Sequence, residues 1–125
     1  SVLRHMFYKI FRSFYHAFHG VRYAYTHDKS FKLEVWATPL VGFFAWYFWP
    51  LTQTEILFLI LSVSLIYITE LINTAFERAL EKIHPERHEL IGKSKDIAAA
   101  AVLVAVFFTD VVVLVILLER IGMPL

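Results

Sequence analysis

The sequence predicts an all-α integral membrane protein with an N-terminal interfacial amphipathic helix and three transmembrane helices, in one domain that spans residues 1–125. Hydrophobic residues make up 58% of the chain and its mean hydropathy is +0.60, which is more apolar surface than so small a soluble domain can bury. Three apolar stretches are long enough, or nearly long enough, to cross a bilayer core, which takes roughly 20 helical residues. Cysteine is absent, which excludes a disulfide framework and a thiolate metal site.

The first element, residues 1–30, alternates apolar and basic positions. Apolar residues recur every three or four positions from Leu3 to Tyr25, with arginine, lysine and histidine between them. This pattern predicts an amphipathic helix on the cytoplasmic leaflet, although anchoring to lipid headgroups alone would also explain most of its basic residues. The segment lacks the uninterrupted apolar core of a secretory signal peptide, so we expect it to be retained.

The predicted spans are residues 31–49, 56–80 and 97–118. Pro50 and the segment His84-Pro85-Glu86 interrupt the helical pattern between them. The distribution of Lys and Arg orients the chain, with six in residues 1–32, none in 47–55, five in 78–95 and only Arg120 in the C-terminal tail. By the positive-inside rule, the N-terminus and the second connection are cytoplasmic, and the first connection and the C-terminus lie outside.

Three polar residues of the second span, Glu70, Asn73 and Glu77, carry the strongest functional signal. A carboxylate inside a span costs about 2.5 to 3.5 kcal/mol on insertion scales, so it is by default a candidate functional group. Offsets of three and seven residues place all three side chains on one narrow stripe of a helix. The stripe predicts a polar site on one face of this span.

The depth of the charged residues groups them at one boundary. A rise of 1.5 Å per residue puts Glu70 about 21 Å into the second span, in the inner leaflet, and Glu77 about 31 Å in, near cytoplasmic water. The ends of the other two spans bring further polar side chains to that level, namely Asp28, Glu34, Lys95 and Asp96. Snorkelling anchors at span ends are an alternative explanation for each of these end residues taken singly.

The clustering suits a reaction between a membrane lipid and a water-soluble phosphate donor. Glu70 can accept the proton of a lipid hydroxyl, Glu77 can hold Mg²⁺ on the phosphates, and Lys95 can offset the charge of the transferring group. A subunit of a proton-coupled transporter, or a small structural membrane protein, is the alternative. A translocation path would spread ionisable groups through the bilayer, whereas here only Asp110 lies outside the cluster, and no role is assigned to it.

Two motifs carry a resemblance to a known family. The segment from Glu70 to Glu77, followed by His88 to Asp96 and an alanine-rich start of the last span, resembles the prokaryotic diacylglycerol kinases, which are related to the undecaprenol kinases. The resemblance runs from about residue 14 to residue 118. It implies a homotrimer with active sites shared between protomers in the bacterial inner membrane, MgATP as donor, and phosphatidate as product. A nucleic acid partner is not expected.

The resemblance also implies roles for individual residues. Glu70 is the general base with Asn73 beside it; Asp28 and Glu77 are the metal ligands. The nucleotide site comprises His16, Asp28, Glu77, Glu86, Arg87, His88, Lys95 and Asp96, and the lipid site comprises Lys9, Phe31, Glu34, Glu70 and Ala99. The chain departs from the family pattern at Asp28, where Glu is usual, at His16, where an aromatic hydroxyl is frequent, and at Lys9, where Arg is common. Diacylglycerol is favoured over undecaprenol because residues 31–34 and 88–93 look closer to the diacylglycerol kinase form.

Overall fold

The computed structural model describes residues 1–86 and 88–123, and these residues form four helices and no strand. The helices are α1 (Val2–His27), α2 (Lys29–Tyr47), α3 (Gln53–Ile83) and α4 (Glu89–Arg120). The prediction of an all-α chain is confirmed. The order is also as predicted, with an N-terminal helix followed by three apolar helices, of which α3 and α4 are longer than α1.

Asp28 joins α1 directly to α2. It is both the C-cap residue of α1 and the N-cap residue of α2. At the N-cap its Oδ1 accepts hydrogen bonds from the backbone N–H of Ser30 (2.9 Å) and Phe31 (3.4 Å). An aspartate at an N-cap satisfies N–H groups that have no partner inside the helix. One residue therefore separates the two helices.

Polar caps make α3 and α4 longer than the apolar runs that predicted them. Thr52 and Glu55 form a capping box, in which the Glu55 carboxylate accepts from the backbone N–H of Thr52 (2.8 Å) and Thr52 Oγ1 accepts from that of Glu55 (3.1 Å). His88 caps α4 through Nδ1, which accepts from the backbone N–H of Leu90 (3.1 Å). Helix α4 thus starts well before the apolar run at residue 97.

Helix α3 is the central element and packs against each of the other three helices. It runs antiparallel to α4, and Leu59 of α3 packs with Val112 and Ile116 of α4 in the buried core, together with Leu51 from the preceding loop. In the described part of the chain α2 packs against α1 and α3 but makes no comparable packing with α4. A space therefore remains between α2 and α4 alongside α3.

Within the described residues, α3 and α4 are the two helices that are long and apolar enough to cross a membrane. Their outward faces carry large exposed apolar side chains, such as Leu57 and Ile60 on α3 and Leu103 and Phe107 on α4. These faces are apolar where lipid would contact them. Helix α2 has 19 residues and includes Lys32 and Glu34, and its role as a span stays a prediction.

Candidate active site

Glu70 lies on α3 with only 4% of its surface exposed. The charges of Asp28, Glu34 and Glu77 act on its carboxylate. Four acidic side chains from α3, α2 and the α1–α2 junction are therefore brought together. The sequence placed Asp28 and Glu34 at the level of Glu77, with Glu70 about 10 Å deeper. In the fold the other three acids lie close enough to act electrostatically on Glu70.

Asp28 is fixed to α3 by Thr74. Thr74 Oγ1 donates a short hydrogen bond to Asp28 Oδ2, and the Thr74 side chain is buried. Thr74 follows Glu70 by four residues, which puts it on the same face of α3 one turn closer to the helix end. The sequence motifs did not single out Thr74 as a site residue. Its position at i+4 from Glu70 was the available signal.

Asn73 and Glu77 are one helical turn apart and face each other. Asn73 Nδ2 donates to Glu77 Oε1 at 3.4 Å. The other polar atom of this amide, Asn73 Oδ1, is buried and has no hydrogen-bond partner among residues 1–86 and 88–123. A buried carbonyl oxygen of this kind is an acceptor ready for a donor from a bound ligand.

Lys95 of α4 reaches α3 through Glu81. Its Nζ lies 3.9 Å from Glu81 Oε1, and Arg78 Nη1 lies 3.1 Å from Glu81 Oε2. Arg78 also donates through Nη2 to the backbone oxygen of His27 (3.3 Å) at the end of α1. These side chains are between about one third and one half exposed, so the ion pairs add little stability and leave the cations accessible to a ligand.

The backbone of Glu34 is tied to α3 by Tyr67, whose hydroxyl donates to the Glu34 oxygen at 3.2 Å and contacts Thr38 Oγ1. Phe31 packs edge-on against the Tyr67 ring, with 5.6 Å between ring centroids, and is 2% exposed. In this structure Phe31 is a packing residue between α2 and α3. Its contact with lipid stays a prediction.

Two cavities open beside the acidic cluster. A cavity of about 520 Å³ lies between α1 and α3 and is lined by residues that include Gly20, Ala24, Thr74, Ala75 and Arg78. A smaller cavity of about 160 Å³ lies between α2, α3 and α4, and Glu34 and Asp110 both line it. Asp110, which the sequence left without a role, therefore lines the same, mostly apolar cavity as a candidate lipid-site residue.

The remaining candidate residues lie outside this cluster on the exposed surface. His16 accepts a hydrogen bond from Arg12 Nε (3.4 Å) on α1, and His88 caps α4 with its ring 5.5 Å from that of His84. The other exposed candidates are Lys9, Glu86, Asp96 and Ala99, and Arg87 lies outside the described residues. The part of the chain that the structure describes has no group of three or more histidine, aspartate or glutamate side chains placed to hold a metal ion.

Comparison with known proteins identifies the family. The family model described as prokaryotic diacylglycerol kinase matches residues 15–117. The chain belongs to this family. Named diacylglycerol kinases among its relatives include those of Escherichia coli K12, 32% identical over 116 residues that cover 93% of this chain and 94% of the relative, and of Haemophilus influenzae, 33% identical over 97 residues that cover 74% and 78%. The resemblance seen in the two sequence motifs is confirmed, and Glu70 to Glu77 and His88 to Asp96 lie inside the matched range.

Proposed function

We propose that this protein is a diacylglycerol kinase that transfers the γ-phosphoryl group of ATP to the hydroxyl of diacylglycerol and releases phosphatidate and ADP. The observation that carries the proposal is the buried Glu70, in an apolar helix beside three further carboxylates, in a chain of the prokaryotic diacylglycerol kinase family. A buried acid in an apolar helix is energetically costly, so its presence supports a functional role. Its relatives from two bacteria are named diacylglycerol kinases.

Glu70 is the general base in this proposal. A lipid hydroxyl lies just below the headgroup plane, so it can meet an acid that sits where the apolar part of α3 gives way to polar residues. Removal of the hydroxyl proton as the phosphorus–oxygen bond forms makes the oxygen a better nucleophile. Asn73 lies one turn away, and its Oδ1, which has no hydrogen-bond partner among the described residues, supports a role in holding a bound ligand through a donor other than the hydroxyl that Glu70 deprotonates.

Asp28 and Glu77 are the proposed ligands of Mg²⁺. Mg²⁺ usually binds one or two carboxylates together with phosphate oxygens of the substrate and water, so two acids from different helices suit it without a third protein ligand. The bonds to Thr74 and to the start of α2 use only part of the acceptor capacity of Asp28, since a carboxylate has about four lone-pair sites. When bound, Mg²⁺ would offset the negative charge of the ATP phosphates.

Lys95 is proposed to bind the phosphates from α4, where the ion pair with Glu81 keeps its ammonium near the acidic cluster. The negative charge of the transferring group then draws Lys95 away from Glu81. Further nucleotide contacts are proposed for His16, Glu86, Arg87, His88 and Asp96. The lipid is proposed to contact Lys9, Phe31, Glu34 and Ala99.

The proposed assembly is a homotrimer of three-span chains in the bacterial inner membrane, with the N-terminus in the cytoplasm. Lys9 and His16 lie on the exposed surface of α1. A neighbouring protomer that packs against α1 would bring such residues to a shared active site. The whole chain acts as one lipid kinase domain in this proposal.

The direct test is to incubate the purified protein with MgATP and each lipid alcohol separately, and to detect the phosphorylated product. We expect phosphatidate from diacylglycerol and a much smaller yield of phosphorylated undecaprenol. Preferential phosphorylation of undecaprenol would replace the proposed substrate. Absence of any phosphorylated lipid, with ATP and Mg²⁺ present and the protein folded, would overturn the assignment of a lipid kinase.

A further inference from the structure

Glu55, near the start of α3, has an unusual environment for a carboxylate. It is 8% exposed, and its Oε1 accepts hydrogen bonds from the backbone N–H of Thr52 (2.8 Å) and from Arg120 Nη2 (2.9 Å). Its Oε2 is also buried, yet no donor among the described residues reaches it. A buried charged oxygen without a donor is costly, so this atom suits a ligand that brings an N–H or O–H group.

Glu55 lies at one end of an apolar groove between α3 and α4. The groove has a volume of about 280 Å³; a second carboxylate, Glu119, lines the same end, and the remainder of its wall is apolar and includes Phe58, Val111 and Val115. It continues along α4 as far as Phe108, which corresponds to about 16 Å of helix. Its dimensions suit part of one acyl chain, with two acids at the end where the chain would meet its headgroup.

This groove is separate from the candidate active site. Glu55 precedes Glu70 by about four turns of α3, or about 22 Å of helix. Glu55 therefore lies in the first turn of α3, whereas Glu70 lies just past the middle of this helix. A lipid bound at Glu55 would belong to the leaflet opposite the one in which we propose that phosphorylation occurs.

We propose that the α3–α4 groove binds a phospholipid whose headgroup carries a primary ammonium, with the ammonium donating to Glu55 Oε2. Glu119 adds negative charge at the mouth of the groove, and the acyl chain lies against Phe58, Val111 and Val115. Arg120 balances the charge of Glu55, so the added carboxylate of Glu119 leaves this end of the groove with net negative charge, which disfavours an anionic headgroup that has no amine. A quaternary ammonium carries positive charge but has no N–H, so it leaves Oε2 without a hydrogen bond.

The test is native mass spectrometry of the full-length protein, released from micelles that contain equal amounts of phosphatidylethanolamine, phosphatidylcholine and phosphatidylglycerol with the same acyl chains. We expect phosphatidylethanolamine to be retained about tenfold more than either competitor, the ratio expected for one hydrogen bond to a charged group. Glu119→Gln should reduce this preference severalfold, because the variant removes a charge at the mouth of the groove.

A matched pair of substitutions on α4 tests whether the groove is the binding site. Val111→Phe fills the groove, whereas Val104→Phe adds the same ring to a more exposed position that does not line it. Retention of phosphatidylethanolamine should fall about tenfold in the first variant and stay at the parent level in the second. If Val111→Phe fails to fold, Glu119→Gln supplies the test, since that side chain is exposed.

Three results would overturn the proposal. One is equal retention of the three lipids by the parent protein, which would indicate non-selective contact with the bilayer. Another is equal retention of phosphatidylethanolamine by Val111→Phe and Val104→Phe, whether both variants lose the lipid or both keep it. The third is a change in the number of protomers in Val111→Phe, which would make this groove a contact between copies of the chain. None of these measurements depends on lipid phosphorylation, so they succeed or fail independently of the kinase proposal.

Discussion

The two ends of the α3–α4 pair use carboxylates differently. At one end, Glu70 is buried beside three other acids, and the nearest basic side chain of α4, Lys95, reaches only as far as Glu81. At the other end, Glu55 is equally buried but receives Arg120 at 2.9 Å and the capping hydrogen bond of α3. Pairing of Glu55 Oε1 with a cation and a backbone N–H indicates a structural role for that oxygen. Accumulation of like charges, which disfavours folding, indicates that function maintains them.

Among the residues proposed to bind metal or phosphate, the largest effect should come from the metal ligands at the acidic end. We expect Glu77→Ala to lose about 100- to 1000-fold in turnover, the range seen when a group that stabilises transition-state charge is removed. Raised Mg²⁺ should not restore it. Asp28→Ala should lose activity but regain part of it at high Mg²⁺, because the shorter Asp28 side chain is the weaker ligand. The measurement is lipid phosphorylation against Mg²⁺ concentration.

Asp28→Glu is the control for this site. It restores the side-chain length usual in the family and should retain activity. An inactive Asp28→Glu variant that still folds would mean that the metal is held in a different arrangement.

The next largest effects should separate the nucleotide site, on the water side of the acidic end, from the lipid site, on its membrane side. Lys95→Met should lower kcat/KM for ATP by about 100-fold and leave the dependence on lipid nearly unchanged, since it removes a contact to phosphate. Glu34→Ala, beside the proposed lipid cleft, should mainly weaken use of the lipid. Titration of both variants against both substrates separates the outcomes. The reverse pattern would contradict the division into a nucleotide side and a lipid side.

At the opposite end the effect should fall on stability. Arg120→Met leaves the buried Glu55 carboxylate without its cation and should lower the free energy of unfolding by about 2 kcal/mol, less than for a fully buried pair because Arg120 is partly exposed. Lys93→Met, which breaks an exposed pair with Glu89 on the same helix, is the matched control and should change stability little. Thermal unfolding in identical micelles compares them. Equal destabilisation would remove the contrast between the two ends.

The smallest expected effect comes from the junction that positions Asp28. Thr74→Val keeps the shape of the side chain and removes the hydroxyl that bonds Asp28, which should cost about 1 kcal/mol of stability. The variant should also need more Mg²⁺ for half-maximal activity, whereas Thr74→Ser keeps the hydroxyl and should behave as the parent does. An unchanged Mg²⁺ requirement in Thr74→Val would mean that Thr74 does not position the metal ligand.

Features that depend on helical spacing were predictable from the sequence. The apolar runs gave the helices, and the offsets of Glu70, Asn73 and Glu77 gave a common face on α3. The helix ends were predicted less well, because caps such as Thr52 and His88 are polar and extend helices beyond the apolar runs.

Contacts between distant segments could not be read from spacing. The bond between Asp28 and Thr74 joins residues 46 positions apart, and the pair of Glu55 with Arg120 joins residues 65 positions apart. Both depend on how α3 packs against its neighbours, and local periodicity does not encode that packing. For the same reason the surroundings of Asp110 could not be predicted from the sequence, although Asp110 lines a cavity with Glu34.

The most direct test of Glu70 as the general base is the Glu70→Gln variant, measured for both lipid phosphorylation and thermal unfolding. We predict a loss of turnover of about 100- to 10,000-fold, the range for removal of a general base, with an oligomeric mass equal to that of the parent. The unfolding temperature should be unchanged or higher, because the substitution removes a buried charge among like charges. Turnover near the parent level would contradict the assignment of Glu70 as the base, and a large drop in unfolding temperature would make Glu70 a structural residue instead.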